Sequence, residues 1–550
     1  MFQIDNELMK HFLKISCLLA LFLATPLKAQ MITEKPKLVV GIIVDQMKQD
    51  YLTRFYHKFG EDGFKRLAEQ GFMARNGHFN YAPTVTGPGH ASVYTGTTPA
   101  NHGIAGNTWY SRVLKRSVYC AEDTAVANVG GSPSAGKISP KNLYTSTITD
   151  ELKLSTQRRA KVIAMSIKDR GSALPGGHLS DGSYWYDSGT GEFMTSTYYM
   201  EELPKWVSKF NKKKNGLKYL ETPWTTLYPI EEYVESGIDD SPYENSIVGK
   251  PTPTFPYAFS HLDEKQKNNF IRSTPFGNSL LADLALEAID AEKLGDDDIT
   301  DFLAVSFSST DYIGHYYGPQ SIEVQDTYLR LDKEIARILA ALDKKLGDGN
   351  YTVFLTADHG VAENSQRMAD EKFRIANFKY KPMRVAIEAA LNQKFGFAKW
   401  VESGTGAIYL DRKLIAEQKV DLIEMQRAVA QVAETFPGVH KAYTAHDLST
   451  KEYTEGLAQL IQNGYHNKES ADVVVVLDPG WQGGGQTGTT HGSGWTYDTH
   501  VPILMYGWGI KPGNSVRYTT ITDIAPTLSM LLNIRLPNGA TGQPIKEVFK

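Results

Sequence analysis

Three segments rich in branched and aromatic residues each run into an acid. KLVVGIIV (37–44) is followed by Asp45, FLAVSFS (302–308) leads to Asp311, and YTVFLTA (351–357) is followed by Asp358 and His359. Asp311 opens the run DYIGH, so His315 lies four residues on and would share its face on a helical turn. Downstream, GTTHGSG sets His491 between glycines that leave room for close approach. Carboxylate and imidazole together are the donor set of a divalent cation such as zinc, with manganese not excluded by ligand type. Each residue alone has an ordinary explanation, since an acid after a strand caps or turns the chain and a histidine between glycines is a loop residue. Gathered at one place, however, buried carboxylates repel one another unless cations neutralise them, and this points to a metal centre.

The stretch APTVTGPGHASVYTG (82–96) adds a nucleophile. Thr86 is expected at the entrance to a helix starting near Gly89, with small neighbours that let a phosphate approach and helix amides that face its oxygens. A free threonine hydroxyl attacks poorly at neutral pH, whereas one beside a dication is activated towards the alkoxide. Without metals nearby, the same threonine reads as a helix cap.

The elements that must position these groups follow from periodicity. The three acid-ended segments read as buried parallel strands. Between the second and third, Tyr328, Leu331, Ile335, Ile338 and Leu342 recur every three or four residues, which predicts an amphipathic crossover helix. Further strands are predicted at 160–167, 472–478 and 501–507, further helices at 383–391 and 422–435, and a closing helix at 521–532. Residues 171–276, dense in Gly, Pro, Tyr and Trp, read as a cap or lid, and 361–480 as a second insertion. The expected class is therefore α/β: a doubly wound, mostly parallel sheet sandwiched by helices, with ligands gathered outside the carboxyl ends of its strands.

Composition narrows the partners. The 550 residues are 41% hydrophobic and carry a net charge of −4, so no basic surplus suggests nucleic acid or an anionic membrane. Residues 1–29 read as a signal peptide, with Lys10 and Lys14 before a short apolar run and Leu27 and Ala29 at a cleavage site. This implies a periplasmic or secreted protein spanning 30–550, without a membrane anchor and with Cys120 as its one cysteine.

Taken together, IIVDQM, PTVTGPGHASVYTGTTPANHGIAGNTWY, SIKDRG, SSTDYIGHYYGP, TADHG and HGSGWTYDTHVPILMYG resemble the alkaline phosphatase superfamily. The similarity is to its branch of type I phosphodiesterases and PafA-type alkaline phosphatases. The resemblance implies two zinc ions, one held by Asp311, His315 and His491, the other by Asp45, Asp358, His359 and Thr86. It also implies that Asn107 donates to a non-bridging phosphoryl oxygen and that Lys168 and Arg170 reach the phosphate, Lys168 standing where better-known relatives hold magnesium. Placed two apart on a strand, Lys168 and Arg170 would share a face. The implied reaction is hydrolysis of small phosphate monoesters through a phosphothreonine. A diesterase or nucleotide pyrophosphatase on the same core is the rival. His90 is expected in packing, His500 competes with His491 as a ligand, and the aromatic runs 107–110 and 183–189 are candidates for the substrate mouth.

Overall fold

The computed structural model describes residues 35–549 except 134, 248 and 405, so the signal-peptide reading lies outside the described residues. Its centre is a ten-stranded sheet: β1 (Leu38–Val44), β2 (Phe72–Ala74), β3 (Asn128–Val129), β4 (Val162–Ser166), β5 (Gly182–Asp187), β6 (Glu192–Ser196), β7 (Asp301–Phe307), β8 (Tyr351–Thr356), β9 (Ile503–Gly507) and β10 (Gly513–Ser515). The spatial order is β10-β2-β9-β8-β1-β7-β4-β5-β6-β3. The five central strands, β8 to β5, are parallel, and β9 and β6 flank them antiparallel.

Every residue of β1, β7 and β8 is buried, as a parallel sheet covered on both faces requires. Register then does the positioning. Leu38 pairs with Asp301 on one side and Tyr351 on the other, so Val44, Phe307 and Thr356 end within a residue of one another. Whatever follows these three strands is delivered to one rim of the sheet.

Four helices supply or support that rim: α1 (Thr86–Thr95), α2 (Asp169–Gly176), α3 (Ser309–Tyr317) and α4 (Ile322–Leu346). The last is the predicted crossover, with Tyr328, Leu331, Ile335, Ile338 and Leu342 all buried. It joins β7 to β8 across the intervening β1.

The two irregular regions differ. Within 171–276, β5 and β6 extend the main sheet, and the remainder packs as short helices and loops. Within 361–480, the strands Val401–Ser403, Ala407–Leu410, Val439–Thr444 and Val473–Leu477 form a separate four-stranded antiparallel sheet. Helices Tyr380–Phe395 and Leu422–Ala433 cover it through a core of its own that includes Met383, Ile387, Met425, Val429 and Val473.

Candidate active site

At the rim, Asp45, Asp311, Asp358 and His359 are all buried to 3% exposure or less. His359 Nε2 stands 3.4 Å from Asp45 Oδ1 and 3.6 Å from Asp358 Oδ2. Asp311 Oδ1 lies 3.2 Å from His315 Nε2, one helical turn away on α3, and 3.5 Å from His491 Nε2. The rings of His359 and His491 stack with centroids 3.5 Å apart. Two triads, Asp311–His359–His491 and Asp45–Asp358–His359, can each bring one donor atom apiece within 4.8 Å of the others.

The histidines are oriented for coordination. Nδ1 of His315 meets the carbonyl of Thr489 at 2.8 Å, that of His359 meets Gly360 O at 2.9 Å, and that of His491 meets Thr84 O at 2.9 Å. A carbonyl only accepts, so each Nδ1 carries a proton and each Nε2 is the ring atom turned towards the carboxylates. Asp45 Oδ1, Asp358 Oδ2 and His359 Nε2 are buried atoms without a hydrogen-bond partner. Orphaned acceptors of this kind, set among carboxylates and imidazoles, fit divalent cations.

Electrostatics give the same answer. Burial pushes the Asp45 carboxyl above its ordinary range, reinforced by the charge of Asp311. Asp358 is pushed well up by burial and then by Asp45. For Asp311, burial also pushes upwards, but His315 and Lys168 outweigh it and hold the carboxyl well below the usual range. A site whose acids resist ionising together is one that gains from added positive charge.

Part of that charge belongs to the chain. Lys168 Nζ bridges Asp45 Oδ2 at 2.7 Å and Asp311 Oδ2 at 2.5 Å. Arg170 Nη2 donates to Thr86 Oγ1 at 3.3 Å. Asn107 Oδ1 accepts the Gly87 amide at 2.6 Å, which fixes the side chain and leaves its amide nitrogen to donate elsewhere.

Three local expectations need correction. Lys168 and Arg170 are not on a strand: β4 stops at Ser166, whose Oγ accepts the Lys168 amide at 3.1 Å, and Arg170 lies in the first turn of α2. Helix α1 begins at Thr86 itself, with Val85 as its cap residue. Of the amides that follow Thr86, Gly87 N is engaged by Asn107 and Gly89 N by Val85 O, and Pro88 has none to offer.

Of two further histidines one lies away from the cluster and the other against it, His90 Nδ1 being 3.4 Å from Asp358 Oδ2. His500 bonds Arg75 O and stacks on His78 at 4.5 Å, so it does not compete with His491. His90 is packed as expected but between significant partners, with Nδ1 2.8 Å from Thr86 O and Nε2 2.7 Å from Ser306 Oγ. Of the aromatic runs, 183–187 lies within β5, while Asn107 to Trp109 border a cleft.

Sequence reasoning missed Gln46 and Tyr119. With φ of 66°, Gln46 turns so that its amide donates to Asp358 Oδ1 at 3.1 Å and its Nε2 to Asp311 Oδ1 at 2.7 Å. Gly314 makes room for it, since a Cβ there would meet Gln46 Oε1 at 1.8 Å. The glycine inside DYIGH was the one available signal. Tyr119 donates to Asp169 and accepts from Arg170 Nη1 at 3.1 Å, positioning the guanidinium from a hairpin distant in sequence.

Residues 39–501 match the sequence model of the type I phosphodiesterase / nucleotide pyrophosphatase family. The chain is 46% identical over 518 residues to alkaline phosphatase PafA of Elizabethkingia meningoseptica, covering 94% of this chain and 95% of that one. A protein of Myroides odoratus called a calcium-transporting ATPase is also 46% identical, over 522 residues, with the same coverage. No helix among the described residues of the present chain is long and apolar enough to cross a membrane. The crystal structure of wild-type alkaline phosphatase PafA superposes with a TM-score of 0.89 at 44% identity, covering 94% of this chain and 99% of that one. By that match and that similarity over nearly its whole length, the chain belongs to the type I phosphodiesterase / nucleotide pyrophosphatase family, in the PafA-type branch of the alkaline phosphatase superfamily.

Proposed function

We propose that this protein hydrolyses small phosphate monoesters to alcohol and inorganic phosphate with Thr86 as nucleophile. The observation that carries the reading is the placing of Thr86 Oγ1 against Arg170 beside a buried cluster of unpartnered metal donors. Asp311, His315 and His491 would hold one cation, and Asp45, Asp358, His359 and Thr86 a second. Zinc suits that donor set. Such ions supply positive charge beside the attacking and leaving oxygens.

The chain does the rest. Thr86 Oγ forms a bond to phosphorus as the bond to the alcohol oxygen breaks, the proton it gives up to solvent being matched by the one the departing alkoxide takes, and water later cleaves the phosphothreonine to inorganic phosphate and the restored hydroxyl. Arg170, steadied by Tyr119, and the free amide of Asn107 bind non-bridging oxygens, whose charge grows during transfer. Lys168, held by Asp45 and Asp311, keeps positive charge beneath them. A monoester dianion presents one more charged oxygen to these groups than a diester does, and this favours the monoesterase reading. Diester cleavage is the second reading, favoured by the family whose sequence model matches.

We assign residues 30–550 to one catalytic domain with cap segments around 171–276 and 361–480, working in the periplasm or outside the cell after loss of residues 1–29. The test is a comparison of phosphate release from a monoester and cleavage of a matched diester by the same metal-loaded preparation. Faster diester cleavage would reverse the assignment.

A further inference from the structure

The phosphate-binding groups account for one half of a substrate, and the fold provides a place for the other. A cleft of about 570 Å³ begins at Asn107 and His491 and runs towards the inserted four-stranded sheet. That volume is typical of small-molecule sites, which span ~300–1,000 Å³. Six aromatic side chains line it: Trp109 from the hairpin after Asn107, Tyr409 and Tyr465 from the insertion, Tyr380 and Trp481 at its edge, and Tyr497 beyond His491. Tyr380 and Trp481 are brought together because Asn377–Phe378 pairs with Gln482–Gly483.

The polar ends of three of these rings are tied to protein. Trp109 Nε1 donates to Glu469 Oε2 at 2.8 Å, Tyr409 OH donates to Glu469 O at 3.1 Å, and Tyr497 OH accepts from Gly480 N at 3.1 Å. Trp109, Tyr409 and Tyr465 are buried, and the Arg112 guanidinium lies 5.1 Å from the Tyr409 ring, so the ring surface left to offer a ligand is that of Tyr380, Trp481 and Tyr497. Among the described residues no Lys or Arg lines the cleft, Arg112 against the Tyr409 ring being paired with Asp472, and the one acid there, Asp498, is buried and engaged by Gly492 N, Ser493 N and Ser493 Oγ.

Geometry gives this surface a role. Attack by Thr86 expels the alcohol on the side of phosphorus opposite to its hydroxyl, away from the face that Arg170 occupies. The cleft is bordered by His491 and Asn107, which are assigned above to a cation and to the phosphate, so it adjoins the reacting group. From this arrangement, and resting on the phosphomonoesterase reading above, we propose that the cleft seats the leaving alcohol. The alcohol it favours is nucleoside-sized, aromatic and uncharged, as in a nucleoside 5′-monophosphate. Flat ring systems stack on aromatic side chains, whereas an alcohol bearing a second phosphate would find no cation there.

The experiment compares kcat/KM for adenosine 5′-monophosphate, glycerol 3-phosphate and fructose 1,6-bisphosphate in the metal-loaded enzyme, and measures adenosine binding by quenching of tryptophan fluorescence. The ratio of adenosine monophosphate to glycerol phosphate is expected to exceed one, with the bisphosphate poorest. In Trp481→Ala and Tyr380→Ala that ratio falls on the order of tenfold, chiefly through KM, and adenosine binding weakens in parallel. Trp481→Phe restores most of it, which separates a lost ring from a disturbed fold. An unchanged ratio in both alanine variants, or equal rates for all three esters, overturns the inference while leaving the monoesterase reading intact. Hydrolysis of none of the three would remove that reading, and this inference with it.

Discussion

Thr86 and Arg170 make the sharpest claims at the level of single residues. Thr86→Ala removes the atom that bonds phosphorus, so turnover should fall by at least about three orders of magnitude while Thr86→Ser retains activity. Full activity in Thr86→Ala, measured by phosphate release, would mean another nucleophile. Lys168→Ala and Arg170→Ala should each lower monoester kcat/KM by about two orders of magnitude, because preorganised charge at a developing anion is worth that much, and should harm a diester far less. Equal losses on both esters would show that these side chains do not read the extra oxygen. The donors themselves were legible in the sequence because strand-end acids and glycine-flanked histidines carry their chemistry in their type. Gln46 and Tyr119 were not legible: a glutamine beside an acid and a tyrosine in a hairpin acquire a role only when β8 and α2 are brought next to them.

Among elements, α1 is the most constrained. It has a threonine, two glycines and a proline in its first turn, a poor helix-forming set held in place by what surrounds it. Gly89 explains part of this, for a Cβ there would lie 2.2 Å from the carbonyl oxygen of Asp358. Gly89→Ala should therefore destabilise the fold by about 1–3 kcal/mol and lower metal affinity by displacing Asp358. Thermal unfolding and metal titration read the two effects, and a variant with wild-type values in both would deny that α1 and the rim are packed this closely. The strands and the crossover helix were legible because burial on both faces or on one stripe leaves a period in the sequence. The strand-like reading of 168–170 failed because SIKDRG carries no period, and the turn is made by a serine hydroxyl bonding two residues ahead.

Across the whole molecule, pH acts on stability through groups remote from the rim. Glu323, fully buried in the first turn of α4, accepts from Tyr257 OH at 2.5 Å, and burial raises its carboxyl to about 8. Burial, followed by the charge of Glu323, raises Glu244 to about 10. Between the ordinary range near 4.5 and these raised values, the unfolded chain has released protons that the folded chain retains. Stability thus falls as pH rises through that window. Wild-type melting temperature should drop from pH 6 to pH 9, and Glu323→Gln, which cannot ionise, should drop less by a few degrees. Parallel curves would show that Glu323 does not stay protonated in the fold. The separate core of 361–480 was likewise only half legible: its helices and strand were plain, but the pairing that builds a second sheet is long-range.

Divalent cations and Thr86 are proposed to act together on a monoester. Metal content measured by mass spectrometry, on the same sample whose monoester and diester rates are followed through chelation and zinc re-addition, tests that directly. Two equivalents of metal per chain are expected, with monoester hydrolysis the faster reaction, lost on chelation and recovered with zinc. Undiminished monoester hydrolysis in a sample stripped of metal would contradict it.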